Sequence, residues 1–167
     1  MEFTHPMATN YAESGIYTTP VRCDGVLPEK TSTGCVYPAG KLTFTESATG
    51  ADPNLNYKPA PGNAQFIRSE QQNHPEWGIT QPLHRRYNPE FNNMIRTQNC
   101  QGFQKQSDDD SCDEFPFAST YENIGPGTAS VGHVSSTDNS HGGTNLGIFL
   151  RENRVLDDDP YYVQIID

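Results

Sequence analysis

Apolar residues in this chain come in short clusters, and the clusters change spacing along its length. In the stretch VRCDGVLPEKTSTGCVYPAGKLTFT, residues 21–45, brief β-branched runs are broken by Gly and Pro, and LTFT alternates. That pattern predicts strands. AQFIRSEQQ, residues 64–72, predicts a short helix, and the long polar run 48–63 before it reads as a loop. HPEWGITQPLHRR, residues 74–86, carries two prolines and a glycine and reads as a loop anchored by Trp77. In NPEFNNMIRTQNC, residues 88–100, Phe91, Met94 and Ile95 fall on one helical face. Asn88 is placed to cap that helix and Pro89 suits its first turn.

The last third is more regular. EFPFAST (114–120) suits an edge strand, because Pro116 has no N–H for a ladder. TASVGHVSS (128–136) alternates as a second strand. Thr137-Asp138-Asn139-Ser140 offers capping side chains to a helix over 141–153, where Leu146, Phe149 and Leu150 recur at helical spacing. DDDP at 157–160 breaks the chain, and YYVQIID predicts a final strand. Strand, strand, helix, strand is an α+β order. Residues 1–20 read as an arm, 21–82 as a loop-rich β extension packing on the core, and 83–167 as the core itself.

Composition narrows this picture. The 167 residues include 14 glycines and 13 prolines, which fits one small core with many loops. No apolar run approaches the roughly 18 residues of a membrane span, and the opening MEFTHPMATNYAESG has no signal-peptide core. The formal net charge is −10, and both halves are acidic. A protein that holds nucleic acid by its overall field is basic. Broad non-specific binding is therefore disfavoured, while a local basic groove or a metal-bridged phosphate is not. The run Asp108-Asp109-Asp110 reads as a solvated loop tip.

Four cysteines allow three pairings. Neighbour pairing, Cys23 with Cys35 and Cys100 with Cys112, is the simplest, and two disulfides imply an oxidising compartment and export. A zinc site lacks its usual spacings here, and four reduced thiols are the remaining alternative.

The chemistry concentrates in SCDEFPFAST, residues 111–120. Asp113 and Glu114 stand side by side ahead of aromatic residues, which is costly unless a cation or a proton offsets the charge. Alternation along a strand sends adjacent side chains to opposite faces, so without a bulge only one of the two faces a given metal. Asn139 is also what helix capping alone would select.

SCDEFPFAST, then VSSTDNSHGG, then a short helix and RVLDDDPYYVQI resemble the NucA/NucB-type deoxyribonucleases of bacteria. The matching region is about 83–167. Upstream, GCVYPAGKLTF and PLHRRYNPEFNNMIRTQNC resemble the N-terminal extension of larger family members. The resemblance implies a ββα-metal nuclease related to the His-Me finger enzymes, with one Mg²⁺ or Mn²⁺ between a hairpin and a helix. By matching position it implies Asp113 as general base, Glu114 as its neighbour, and Glu122 as a further carboxylate. The metal ligands would come from Asn139, Asp113 and Glu122. His84, Arg85, Ser136, His141 and Arg151 are the expected substrate-binding residues. One departure stands out: the family often has Arg after the matching Asn, and this chain has Ser140.

The function so implied is a secreted, metal-dependent endonuclease cutting DNA with low sequence specificity. It would act as a monomer, without a membrane, either as a scavenger or as the toxin domain of an exported protein with an immunity partner. The alternatives are an inactive binding module of the same fold and an RNase on the same site.

Overall fold

The computed structural model describes residues 21–26, 33–36, 40–47 and 57–167. The arm expected at 1–20 and residues 48–56 of the expected long loop lie outside these. The elements in order are β1 (Arg22–Asp24), β2 (Gly34–Val36), β3 (Lys41–Thr45), α1 (Pro61–Asn73), β4 (Leu83–His84), α2 (Pro89–Asn99), β5 (Asp110–Phe115), β6 (Ser130–Ser135), α3 (Ser136–Glu152) and β7 (Pro160–Ile166). The fold is α+β, and its three-stranded sheet is mixed rather than purely antiparallel.

That sheet has the order β3-β7-β4. β7 runs parallel to β3, with Leu42 opposite Val163, and antiparallel to β4, with Leu83 opposite Tyr161. Leu42 and Phe44 alternate inward from β3, as LTFT predicts. They join Ala64 and Ile67 of α1, Phe115 of β5, Phe149 of α3, and Tyr161 and Val163 of β7 in one cluster. Each such large side chain contributes roughly 1.5–3 kcal/mol by leaving water. Trp77 anchors its loop as expected, its ring edge-on to Phe115 at 6.2 Å.

β5 and β6 form a separate antiparallel hairpin with unbroken register from Asp110↔Ser135 to Phe115↔Ser130. α1 lies close against it. Gly132 sits opposite Asp113, and a Cβ there would fall 2.5 Å from the Phe66 ring of α1. Helix and hairpin meet at that distance because the position carries no side chain.

Several elements differ from the sequence reading. α1 begins at Pro61 rather than 64, with the proline in its first turn. In α2, Asn88 caps as expected, its Oδ1 accepting from Phe91 N at 3.0 Å. However, Met94 is exposed, and the buried positions are Asn92 and Ile95. Asn92 is buried because it donates to Arg86 O and accepts from Arg86 Nε. β5 covers 110–115 rather than 114–120, and Pro116, after a cis peptide bond, ends it. Asp110 is therefore buried, not a solvated tip, and accepts from Gln106 N at 2.7 Å and pairs with His133 Nδ1 at 2.7 Å. Those contacts hold its carboxyl below the usual range, the Gln106 N–H first among them. α3 starts at Ser136, capped by Ser135, whose Oγ accepts from Asp138 N at 3.1 Å. The capping role falls to Ser135, four residues before Asn139, and Asn139 becomes a residue of the first turn.

Both neighbour-paired disulfides are present. Cys23–Cys35 bridges directly opposed residues of β1 and β2, and Cys100–Cys112 ties the end of α2 to the middle of β5. No helix among the described residues is long and apolar enough to cross a membrane.

Candidate active site

Among the described residues β6 is the only strand paired with β5, so no strand covers its other edge. Along that edge runs a cleft of about 210 Å³ bounded by β5, α2, α3 and the start of α1. Consecutive residues 111–114 all line it. A cleft on one face of the strand would meet only alternate residues. It therefore follows the edge, and residues from both faces of the strand line it. Asp113 and Glu114 both line it, with no bulge in the β5–β6 register.

Asp113 is 7% exposed. Its Oδ2 accepts from Asn63 Nδ2 of α1 at 2.5 Å, and its Oδ1 accepts from Glu114 N at 2.9 Å. Burial pushes its pKa up to about 7, and the charge of Glu114 adds to the shift. Glu114 is also buried and its carboxyl is likewise pushed up by desolvation, with Arg96 acting against that. Arg96, from α2, lies with its Nε 3.4 Å from Glu114 Oε1 and keeps more than half its side chain in solvent. Asn139 reaches back from α3 and donates Nδ2 to Cys112 O at 2.8 Å and Ser111 Oγ at 3.0 Å. Its position one turn into α3, just past the hairpin, makes that reach short.

The other expected site residues lie elsewhere. Glu122 is held by His84, accepting from its backbone N at 3.0 Å and pairing with its Nδ1 at 2.7 Å; neither lines the cleft. Arg85 is buried, its guanidinium donating to Val155 O and lying over the Tyr87 ring. Arg86 is buried too and donates to the carbonyls of Ala118 and Asn123. The densest basic cluster of the sequence thus serves largely to pin the turn after β5. Ser136 Oγ donates to Asp109 O, His141 Nδ1 donates to Pro59 O at 2.6 Å, and Arg151 pairs with neighbouring Glu152.

Two residues of the cleft escaped the sequence reading. Asn63 sits about 50 positions upstream in what reads as an ordinary loop. Arg96 sits on the polar side of a helix whose apolar side drew the attention. Arg96 and Ser119 also line an adjoining groove of about 290 Å³, together with Arg85, Arg86, Asn88 and Asn93. The groove continues the cleft with a basic and amide-rich floor. A larger hollow of about 460 Å³ lies between α1 and β7, but no carboxylate or imidazole lines it.

Among the described residues no three His, Cys, Asp or Glu side chains gather closely enough to hold a metal. The cleft instead offers two carboxylates with the amide oxygens of Asn63 and Asn139, an all-oxygen donor set of the kind hard cations take. The Asn63 oxygen is buried and has no hydrogen-bond partner, which leaves it available to such an ion or its water.

A buried carboxyl with a raised pKa beside a second acid and an arginine, on a hairpin-and-helix frame, is an arrangement from which general-base chemistry can be built. The sequence model of the deoxyribonuclease NucA/NucB family matches residues 80–164, and the chain belongs to that family. Its core is a nuclease domain. A comparison with curated proteins found no match.

Proposed function

We propose that this protein is a secreted endonuclease that hydrolyses DNA phosphodiester bonds with low sequence specificity and depends on one Mg²⁺ or Mn²⁺. The observation that carries the reading is Asp113, buried in an open-edged cleft with its pKa near 7. A carboxylate of ordinary pKa is a weak base in neutral water, and one near 7 is matched to its task.

Asp113 takes the proton of the attacking water. The water oxygen bonds to phosphorus, the ester P–O bond breaks, and the leaving oxygen is protonated from solvent. Asp113, Glu114 and the Oδ1 atom of Asn139 are the oxygens that would hold the ion. When bound, the ion supplies charge neutralisation at the phosphoryl oxygens and leaving group. Arg96 faces the same charge from α2 and exchanges its partner Glu114 for phosphate. The basic groove beyond Arg96 receives the flanking strand. Two disulfides among the described residues support export into an oxidising compartment.

An inactive binding module is the second reading, and Ser140 in place of the family's arginine favours it. Arg96 answers that objection by bringing a guanidinium to the cleft from another helix. Incubation with plasmid in Mg²⁺ or Mn²⁺, with and without EDTA, separates the two. Nicking that EDTA abolishes is expected. Pure protein that leaves plasmid intact in every metal tried defeats the nuclease reading, and RNA run alongside reports the substrate sugar. Asp113→Ala is expected to abolish cutting without lowering the melting temperature.

A further inference from the structure

Asn63 comes from the extension, outside the family-matched residues 80–164, yet it is built into the cleft. Three ties from one face of α3 put it there. Asn145 clamps the backbone of Lys58 through both its Oδ1 and its Nδ2, at 2.8 Å each. His141 donates to Pro59 O, and Asp138 Oδ2 accepts from Gly62 N at 2.7 Å. Gly142 completes the face, since a Cβ there would fall 2.5 Å from Asn63 Oδ1. Positions 138, 141, 142 and 145 are one helical stripe.

The result is an amide that is 3% exposed, with Nδ2 donating to Asp113 and Oδ1 making no hydrogen bond. A buried acceptor without a partner is costly. A side chain serving only as packing would avoid that cost by being apolar. The free oxygen belongs to the same amide that orients the Asp113 carboxylate, and Asn63 and Asp113 both line the cleft.

We propose that Asn63 belongs to the catalytic machinery: its NH₂ fixes the Asp113 carboxylate, and its free oxygen accepts a hydrogen bond from the water that Asp113 deprotonates. The extension therefore supplies a working part of the site, and the α3 stripe is its mount. This rests on Asp113 being the general base.

The test is Asn63→Leu, Gly142→Ala and Asp113→Asn on the full chain. Each is assayed for thermal melting and for kcat and KM on DNA. Asn63→Leu keeps the branched heavy-atom skeleton and removes both polar atoms. It is expected to lower kcat roughly 10- to 100-fold with KM changed less than about threefold, and to melt no more than a few degrees from wild type. Gly142→Ala keeps every polar group and displaces only the Asn63 amide, and is expected to show the same kcat-confined loss. A folded Asn63→Leu with kcat within twofold of wild type, or with its loss confined to KM, overturns the proposal. If that variant does not fold, a folded Gly142→Ala with full kcat overturns it instead. An active Asp113→Asn sinks the underlying assignment of the base, whereas an inactive one beside a fully active Asn63→Leu sinks only the role of Asn63.

Discussion

Asp113→Asn turns the burial of this carboxyl into a measurable free energy. The native pKa is raised from 3.8 to about 7, because burial and the neighbouring Glu114 disfavour the charged form. The unfolded chain ionises near the lower value and the folded chain near the higher one. Between them the native state binds more protons, so this group's contribution to stability falls as pH rises through that window. At 1.36 kcal/mol per unit the full loss above pH 7 is about 4 kcal/mol, of which about 3 kcal/mol falls between pH 5 and pH 8.5. Asparagine has nearly the same shape, accepts the Asn63 hydrogen bond through its oxygen and carries no charge at any pH. Denaturant unfolding of both proteins in EDTA measures the difference. The variant is expected to gain about 3 kcal/mol on wild type between pH 5 and pH 8.5 while cutting no DNA. Adding Mn²⁺ at pH 8.5 is expected to stabilise wild type more than the variant, since the ion replaces the missing proton. Equal pH dependence in the two proteins would refute the claim that folding holds Asp113 in its protonated form.

Arg96→Ala removes a half-exposed guanidinium and should leave the melting temperature near wild type. It is expected to lower kcat/KM roughly 10- to 100-fold and to reduce the salt dependence of DNA binding by about one counterion; a nitrocellulose or fluorescence titration across salt concentrations reads the second effect. Paired Cys100→Ser and Cys112→Ser substitutions open a 12-residue separation and are expected to cost about 3 kcal/mol in denaturant unfolding. They also free the end of α2 from β5, so DNA cutting should fall beyond what partial unfolding accounts for.

What the residues declared on their own was local. Asn88 and Pro89 announce a helix start because capping needs only the next few N–H groups. LTFT announces a half-buried strand because alternation reports one covered face. The adjacency of Asp113 and Glu114 ahead of aromatic residues singles out the candidate site, since burying two like charges is costly unless a proton or a cation answers them. The neighbour pairing of the cysteines was open to the same short-range reading.

Distance in sequence hid the rest. β7 pairs in parallel with β3 across more than a hundred residues, and no local signal carries that register. Asn63 meets Asp113 only because α1 is drawn onto the hairpin by packing at Gly132 and by the polar stripe of α3. The apparent basic cluster at 84–86 became mostly interior structure, while a lone arginine on α2 reached the cleft. Charge and polarity in a sequence specify what a residue can do. Burial, and therefore the pKa of Asp113 and the partners of each amide, is set only when the whole core closes around it.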